Sequence, residues 1–314
     1  MIASVGNVRD MYQRLFGYPM AGRHEPCDLC GSSKSIVVGR YDRRLRPLKN
    51  VMCSHCGLIR QDPMPTDSEL EYFYEREYRV QQKGAAEPHP RNVERNLERS
   101  AARLEHLKPH VRPGAKILDV GSGAGDFVHL AARAGYDVRG IEPNLAYAEW
   151  SKKNFGIDVT VGTWETAEVA PGSCDLITSH HVLEHLRSPF AVLRKFHQWL
   201  KPDGRLWLAV PNLKWTVNSP INRFQLWHMH GFTPETHQMM ALKAGFARIT
   251  GLRGRSTEAL LQRLPAPAEN WFLFPDHARE MQQFFREHTL IRYVLRPKAY
   301  ARAAQLFARA LRTR

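Results

Sequence analysis

Two periodicities divide the chain. From Lys116 onward, short apolar runs alternate with amphipathic stretches: KILDV, a helical pattern to Ala134, YDVRGIE, a second helical pattern to Phe155, IDVTV, CDLITS, a third over Phe190–Leu200, and RLWLAV. Such alternation predicts βαβ units and a parallel sheet covered on both faces. Ahead of it, Leu97, Ala101, Leu104 and Leu107 recur at helical spacing among Arg and Glu, predicting a connecting helix over 91–110 that Pro113-Gly114 ends. Residues 1–20 read as a short helical arm. The segment 82–90 reads as a linker, after an acidic, Tyr-rich stretch from Glu69 to Tyr78.

Composition narrows the class. At 314 residues, 43% hydrophobic and 24% charged, with a mean hydropathy of −0.44, the chain is neither disordered nor polytopic. No apolar run approaches the roughly 18 residues that span a bilayer, and the first twenty residues lack a secretory signal pattern. A cytoplasmic, thiol-reducing location is expected. The formal charge of +14 is uneven: +5 over 1–112, +2 over 113–250 and +7 over 251–314. After Glu287 there is no acid, while Arg292, Arg296, Lys298, Arg302, Arg309, Arg312 and Arg314 follow.

Four of the five cysteines form two knuckles, Cys27-x-x-Cys30 and Cys53-x-x-Cys56, each followed by a glycine (Gly31, Gly57) that lets the backbone turn tightly. Four thiolates at this spacing suit tetrahedral Zn2+. Because they leave no open coordination position, the expected role is structural. An iron–sulfur cluster is the rival, without other electron-transfer features to support it. His24 and His55 read as surface histidines and Cys174 as a packing residue.

The segment from Lys116 to Phe127 is a strand running into a Gly-rich turn and a helix. Gly121, Gly123 and Gly125 permit close backbone approach to a ligand, and Glu142, at the tip of the next strand, is placed to accept ribose hydroxyls. Asp126 stands where a dinucleotide fingerprint needs a small residue, and a carboxylate near a pyrophosphate is unfavourable. Asp119 before the first glycine suits an ammonium group. No Gly-Lys-Ser/Thr follows, which excludes a P-loop.

On these residues the chain resembles a family. DVGSGAG, then GIEP and CDLITSHHVLEHL, are similar to class I S-adenosylmethionine-dependent methyltransferases over roughly 113–250. The resemblance implies an α/β, Rossmann-like seven-stranded methyltransferase sheet. It also implies that Asp119, Gly121, Ser122, Gly123 and Gly125 hold the methionine part of S-adenosyl-L-methionine. Glu142 and Pro143 would lie at the ribose, Thr163 and Trp164 against the adenine, and His180 beside the cofactor. C-x-x-C-G, C-x-x-C-G-L, QDPMPT and EYFYEREY resemble the zinc-bearing leader of bacterial glycan- and sugar-modifying methyltransferases, including sugar C-methyltransferases. The 64 residues after 250 are too few for the large C-terminal domain of the latter, which leaves oxygen open beside carbon as the acceptor atom.

Methyl transfer requires a positioned nucleophile and a base. Between Asp175 and His185, four titratable groups follow the fourth strand: His180, His181, Glu184 and His185. His181 is the first choice for general base, and Glu184 orients it or binds substrate. His228 or His230, in the segment after the fifth strand, could supply the base instead, and Tyr74 and Tyr78 could form a lid. Cys174 does not stand in a Pro-Cys motif, and the N-P-P-Y type motif of amino-methylating nucleic-acid enzymes is absent.

The expected organisation is an arm (1–20), a zinc-binding segment (21–86), a linker helix (87–112), a methyltransferase domain (113–255) and a basic helical region (256–314). Within the last, residues 288–314 read as two helices hinged at Pro297. They offer a cationic amphipathic face that could lie on an anionic membrane, placing the protein peripherally at its inner surface. The expected substrate is a sugar, nucleotide-sugar or lipid-linked glycan precursor. RNA or ribosome methylation is the alternative enzyme, and a non-enzymatic zinc-dependent interaction module the third reading.

Overall fold

The computed structural model describes residues 17–73, 87–215, 219–253 and 256–295. Among them the strands form two sheets. The larger comprises β4 (Lys116–Val120), β5 (Asp137–Glu142), β6 (Val159–Val161), β7 (Cys174–His180), β8 (Leu200–Pro211), β10 (Phe246–Arg253) and β11 (Ser256–Arg263). Their spatial order is β6-β5-β4-β7-β8-β11-β10. The first five run parallel, and β11 enters antiparallel between β8 and β10. The order reverses between β4 and β7, which opens a crevice at their carboxyl ends.

The strands are near-continuously apolar because both faces are covered. On one face Leu118, Ile177, Leu206 and Leu208 meet α5 (Pro189–Trp199) and α6 (Pro234–Lys243) through Leu193, Phe196 and Met240. On the other, Ile117, Leu176, Trp207 and Leu260 meet α2 (Pro90–Leu107) and α3 (Asp126–Arg133) through Leu104, Leu107, Phe127 and Ala131. Each such side chain, once fully buried, contributes about 1.5–3 kcal/mol. The connecting helix forms where the periodicity puts it. Its buried face is Val93, Ser100, Leu104 and Leu107, while Ala101 faces solvent.

Helix starts near the crevice are fixed by side chains. Asn144 caps α4 (Leu145–Phe155) by accepting from the N–H groups of Ala146 and Tyr147. Ser188 caps α5 at Ala191, and Asp28, from the N-terminal region, accepts from Ser188 Oγ (2.7 Å) and the Phe190 N–H (2.8 Å). That contact ties the cysteine-bearing segment to the crevice rim.

The smaller sheet is antiparallel in the order β1 (Ser35–Tyr41), β2 (Pro47–Cys53), β3 (Ile59–Gln61) and β9 (His230–Gly231). Its last strand comes from 170 residues downstream, pairing Arg60 with His230. The short α1 (Asp67–Phe73) follows β3.

The large sheet continues past residue 255, where the sequence reading put a boundary, because β11 supplies a full strand up to Arg263. Beyond it lie α7 (His277–Glu287) and the short α8 (Leu290–Val294). The arm before residue 17, Tyr74, Tyr78 and the basic residues from Arg296 onward lie outside the described residues. No helix among the described residues is long and apolar enough to cross a membrane.

Candidate functional site

The two knuckles close into one cluster. Gly31 donates to the Cys27 carbonyl (2.7 Å) and Gly57 to that of Cys53 (3.0 Å), both glycines with φ near +75 to +79°. These turns bring Cys27 Sγ to 3.5 Å from Cys56 Sγ and Cys30 Sγ to 3.4 Å from Cys53 Sγ, with no disulfide. Four sulfurs bonded at about 2.3 Å to a tetrahedral zinc lie a little under 4 Å apart, so the donor set fits that ion. Cys27, Cys53 and Cys56 are buried in the same core as α5 and α6. His24 pairs with Asp62 (2.8 Å) and His55 stacks on Phe272, so both lie outside the sulfur cluster.

At the carboxyl ends of the parallel strands opens a cavity of about 1880 Å³. One end is the glycine turn. A side chain at Gly121 would drive its Cβ to 2.3 Å from Val182 Cγ2, and one at Gly125 to 2.7 Å from Ile157 Cδ1. Gly123 instead faces open space on the cavity wall, and its N–H donates to Glu142 Oε2 (2.9 Å). Glu142 Oε1 accepts from the Asn144 N–H (3.0 Å), and burial raises the Glu142 carboxyl above its ordinary value. Pro143, Thr163 and Trp164 complete this wall, and the Trp164 indole N–H is buried without a hydrogen-bond partner among the described residues. A carboxylate, an exposed glycine backbone and an unpaired indole donor fit an adenosyl group.

The remaining expected cofactor residues do not line the cavity. Asp119 is buried beneath the turn, accepting from Thr178 Oγ1 (2.5 Å), and burial raises its carboxyl above the ordinary value. Ser122 and Gly125 shape the turn from behind, packed toward Gly140 and Ser151. His180 points to the opposite face of the sheet, its ring centroid 6.3 Å from that of Trp207 on the α2 side. Strand alternation explains this, since His180 shares its face with Leu176 and Thr178.

The other end of the cavity carries the histidines. His181 leaves β7 with φ +56°, in the left-handed region that costs a non-glycine residue roughly 1–2 kcal/mol. Strain of this kind concentrates at functional sites. Here it swings the chain into a short helical turn over Leu183–His185. His181 Nδ1 then lies 3.4 Å from Glu184 Oε1, and His185 Nε2 lies 3.7 Å from the same oxygen. Glu184 is only 2% exposed in its side chain. Burial would raise its carboxyl, but His181, His185 and His228 around it hold it below the ordinary value. His185 Nδ1 donates to the Trp227 carbonyl (2.6 Å), and the His228 ring stands edge-on to His185 at 4.9 Å. Burial lowers His228 to about 4, which leaves it neutral at physiological pH. His230 is wholly buried, with Nδ1 on the Leu186 carbonyl (3.0 Å).

A family model described as a methyltransferase domain matches residues 89–296. The chain belongs to that family of class I S-adenosylmethionine-dependent methyltransferases. Among curated proteins, this methyltransferase is similar to the ubiquinone biosynthesis O-methyltransferases of Pseudomonas aeruginosa (34% identity; 32% of this chain and 45% of the relative) and Xanthomonas campestris (36%; 35% and 49%). It thus spans about half the length of the curated relatives it matches. Among solved structures it is similar to S-adenosylmethionine-dependent methyltransferases from Mesorhizobium loti (TM-score 0.45, 18% identity, 52% of this chain and 96% of the other) and Aquifex aeolicus (0.46, 14%, 57% and 100%).

The structure of the methyltransferase brings His181, His185 and His228 to one wall of the cavity, with Glu184 buried behind them, and Gly121, Gly123, Glu142, Pro143, Thr163 and Trp164 to another. Sequence reasoning missed Gln61. Buried in β3, its amide donates to the carbonyls of Leu226 (2.7 Å) and His228 (3.1 Å) and reaches that of Gln225 (3.3 Å). It thereby holds the loop that carries His228. Arg187 was missed too, bridging Glu25 and Asp67 (3.2 Å to the latter) across the cavity rim. Gln61 opens the QDPMPT segment but had no role read from it, and Arg187 lies just past the histidine-rich motif; the packing of the small sheet on the large one identifies what each does.

Proposed function

We propose that this methyltransferase methylates a hydroxyl oxygen of a small-molecule acceptor held between the histidine wall and the N-terminal segment. The observation that carries the reading is that one cavity is lined both by an adenosyl-type set at Glu142 and Trp164 and by His181, which is backed by the buried Glu184. The O-methyltransferase names of the partial relatives support oxygen as the acceptor atom. A sugar or glycan precursor is the acceptor class to test first, on the resemblance of the zinc-bearing leader.

Gly121, Gly123, Glu142, Pro143, Thr163 and Trp164 would hold S-adenosyl-L-methionine, which supplies an electrophilic methyl group. Asp119, Ser122 and Gly125 act behind them by shaping the turn, and His180 packs on the far face. His181, with Nδ1 held toward Glu184, would take the acceptor proton on its other nitrogen as the oxygen engages the methyl carbon. Glu184 orients that ring and stabilises its charge, and His228 lines the acceptor side. Glu25, Arg187 and His230 line the cavity beside the histidine wall. The four cysteines would hold structural zinc, fixing the segment that supplies this rim. We place the zinc-binding unit at the small sheet and the catalytic unit on the large sheet through β11.

The test is incubation of cell extract with isotopically labelled methyl donor and the enzyme, followed by fractionation. Label in carbohydrate or other small molecules, lost in His181→Ala, supports the proposal. Label confined to RNA or protein overturns it.

A further inference from the structure

The turn after β7 and the loop before β9 place Glu184, His185 and His228 so that one ligand atom from each lies within 4.8 Å of the others. Three features make this more than a polar cluster. First, both carboxylate oxygens of Glu184 are buried and neither meets a donor in good hydrogen-bond geometry among the described residues; His181 Nδ1 and His185 Nε2 lie 3.4 and 3.7 Å from Oε1. A buried, unsatisfied carboxylate costs several kcal/mol unless a cation meets it.

Second, His185 has its tautomer set from behind. Its Nδ1 gives a proton to the Trp227 carbonyl, so the Nε2 lone pair of the neutral ring faces the Glu184 oxygen. Two acceptors facing each other repel, and a cation between them removes the repulsion. A backbone carbonyl behind the ring is the usual second partner of a metal-binding histidine. Third, the amide of Gln225 lies 2.8 and 3.0 Å from the two ring nitrogens of His228. With the side-chain amide turned so that its oxygen accepts from one ring N–H, the other ring nitrogen keeps its lone pair for the cluster.

We infer that Glu184, His185 and His228 bind one divalent transition-metal ion on the acceptor wall of the cavity, separate from the four-cysteine cluster. Two imidazoles and one carboxylate leave coordination positions open and favour borderline ions such as Co2+, Zn2+ or Fe2+ over Ca2+ or Mg2+. An ion there would lower the pKa of an acceptor hydroxyl bound to it. The inference goes beyond the methyl-transfer reading and does not depend on it, because cation binding is measured with neither donor nor acceptor present.

The probe is Co2+ titrated into zinc-loaded full-length protein and followed by absorption, since thiolate ligation gives an intense charge-transfer band that nitrogen and oxygen ligation does not. The expected result is one equivalent of Co2+ with d–d bands and no thiolate band. Its affinity falls at least about tenfold in His185→Gln and in His228→Ala, with the zinc content unchanged. Glu184 is buried, so Glu184→Gln is read beside its circular dichroism, while the two histidine variants carry the test if it misfolds. No saturable second equivalent, a thiolate band on Co2+ addition, or binding unchanged in both histidine variants overturns the assignment.

Discussion

Replacing Gln61 by Ala removes a side chain that contributes no group to the chemistry, yet it is expected to loosen the histidine wall. The amide has two protons, and three carbonyls of the 225–228 loop surround it at 2.7–3.3 Å. Two buried hydrogen bonds at about 0.5–1.5 kcal/mol net each give roughly 1–3 kcal/mol of local stability, a five- to 150-fold change in an opening equilibrium. The backbone bond from Gln61 N–H to the Met229 carbonyl (2.9 Å) remains in the variant, so the effect is confined to the side chain. Hydrogen exchange of the full-length protein reads this directly. Peptides covering 224–230 should exchange five- to 150-fold faster in Gln61→Ala, while those covering β4 and β7 keep wild-type protection. Equal exchange in the loop, or faster exchange everywhere, would refute the idea that the N-terminal sheet holds the histidine wall.

Further outcomes follow from the same geometry. Gly121→Ala should destabilise the protein and weaken adenosylhomocysteine binding, because its Cβ meets Val182 at 2.3 Å; Gly121→Ala/Val182→Ala should recover part of the thermal stability, and no recovery would contradict the steric account. His230 and His237 are buried and lowered to about 4, so each is neutral in the fold while it titrates near 6.5 in the unfolded chain. The stability each contributes is full above pH 6.5 and is lost as pH falls toward 4, by up to about 3 kcal/mol per group. The midpoint of thermal unfolding should therefore drop steeply between pH 6.5 and 4 and less steeply in His237→Gln; a flat profile would refute the assignment. Cys53→Ser should abolish stoichiometric zinc and expose the N-terminal segment to proteolysis, and retention of one zinc per chain would count against the four-sulfur site.

The sheet was legible because strands buried on both faces stay apolar and its glycine turn follows one of them, so β4 to β8 form where the pattern ends each run. β11 was harder to see: Ser256–Arg263 mixes Thr257, Glu258 and Gln262 with Leu260 and Leu261, as a hairpin partner of a sheet-edge strand can. The histidine density after β7 marked the right place. It did not reveal that strand alternation sends His180 to the Trp207 face while the left-handed turn at His181 redirects its neighbours to the cavity. Asp119 shows the same limit. Sequence position put it beside a ligand, whereas its bond to Thr178 ties it into the sheet. The approach of His228 to Glu184 depends on β9 joining β3 from far along the chain, which no local pattern encodes.

The proposed function turns on what the Glu142 wall accepts, and calorimetric titration with S-adenosylhomocysteine measures it most directly. One site per chain is predicted, with affinity at least about tenfold weaker in Glu142→Gln, where a charge-assisted contact to ribose hydroxyls is lost. Absence of binding to the folded protein, or saturation by NADH in its place, would contradict it.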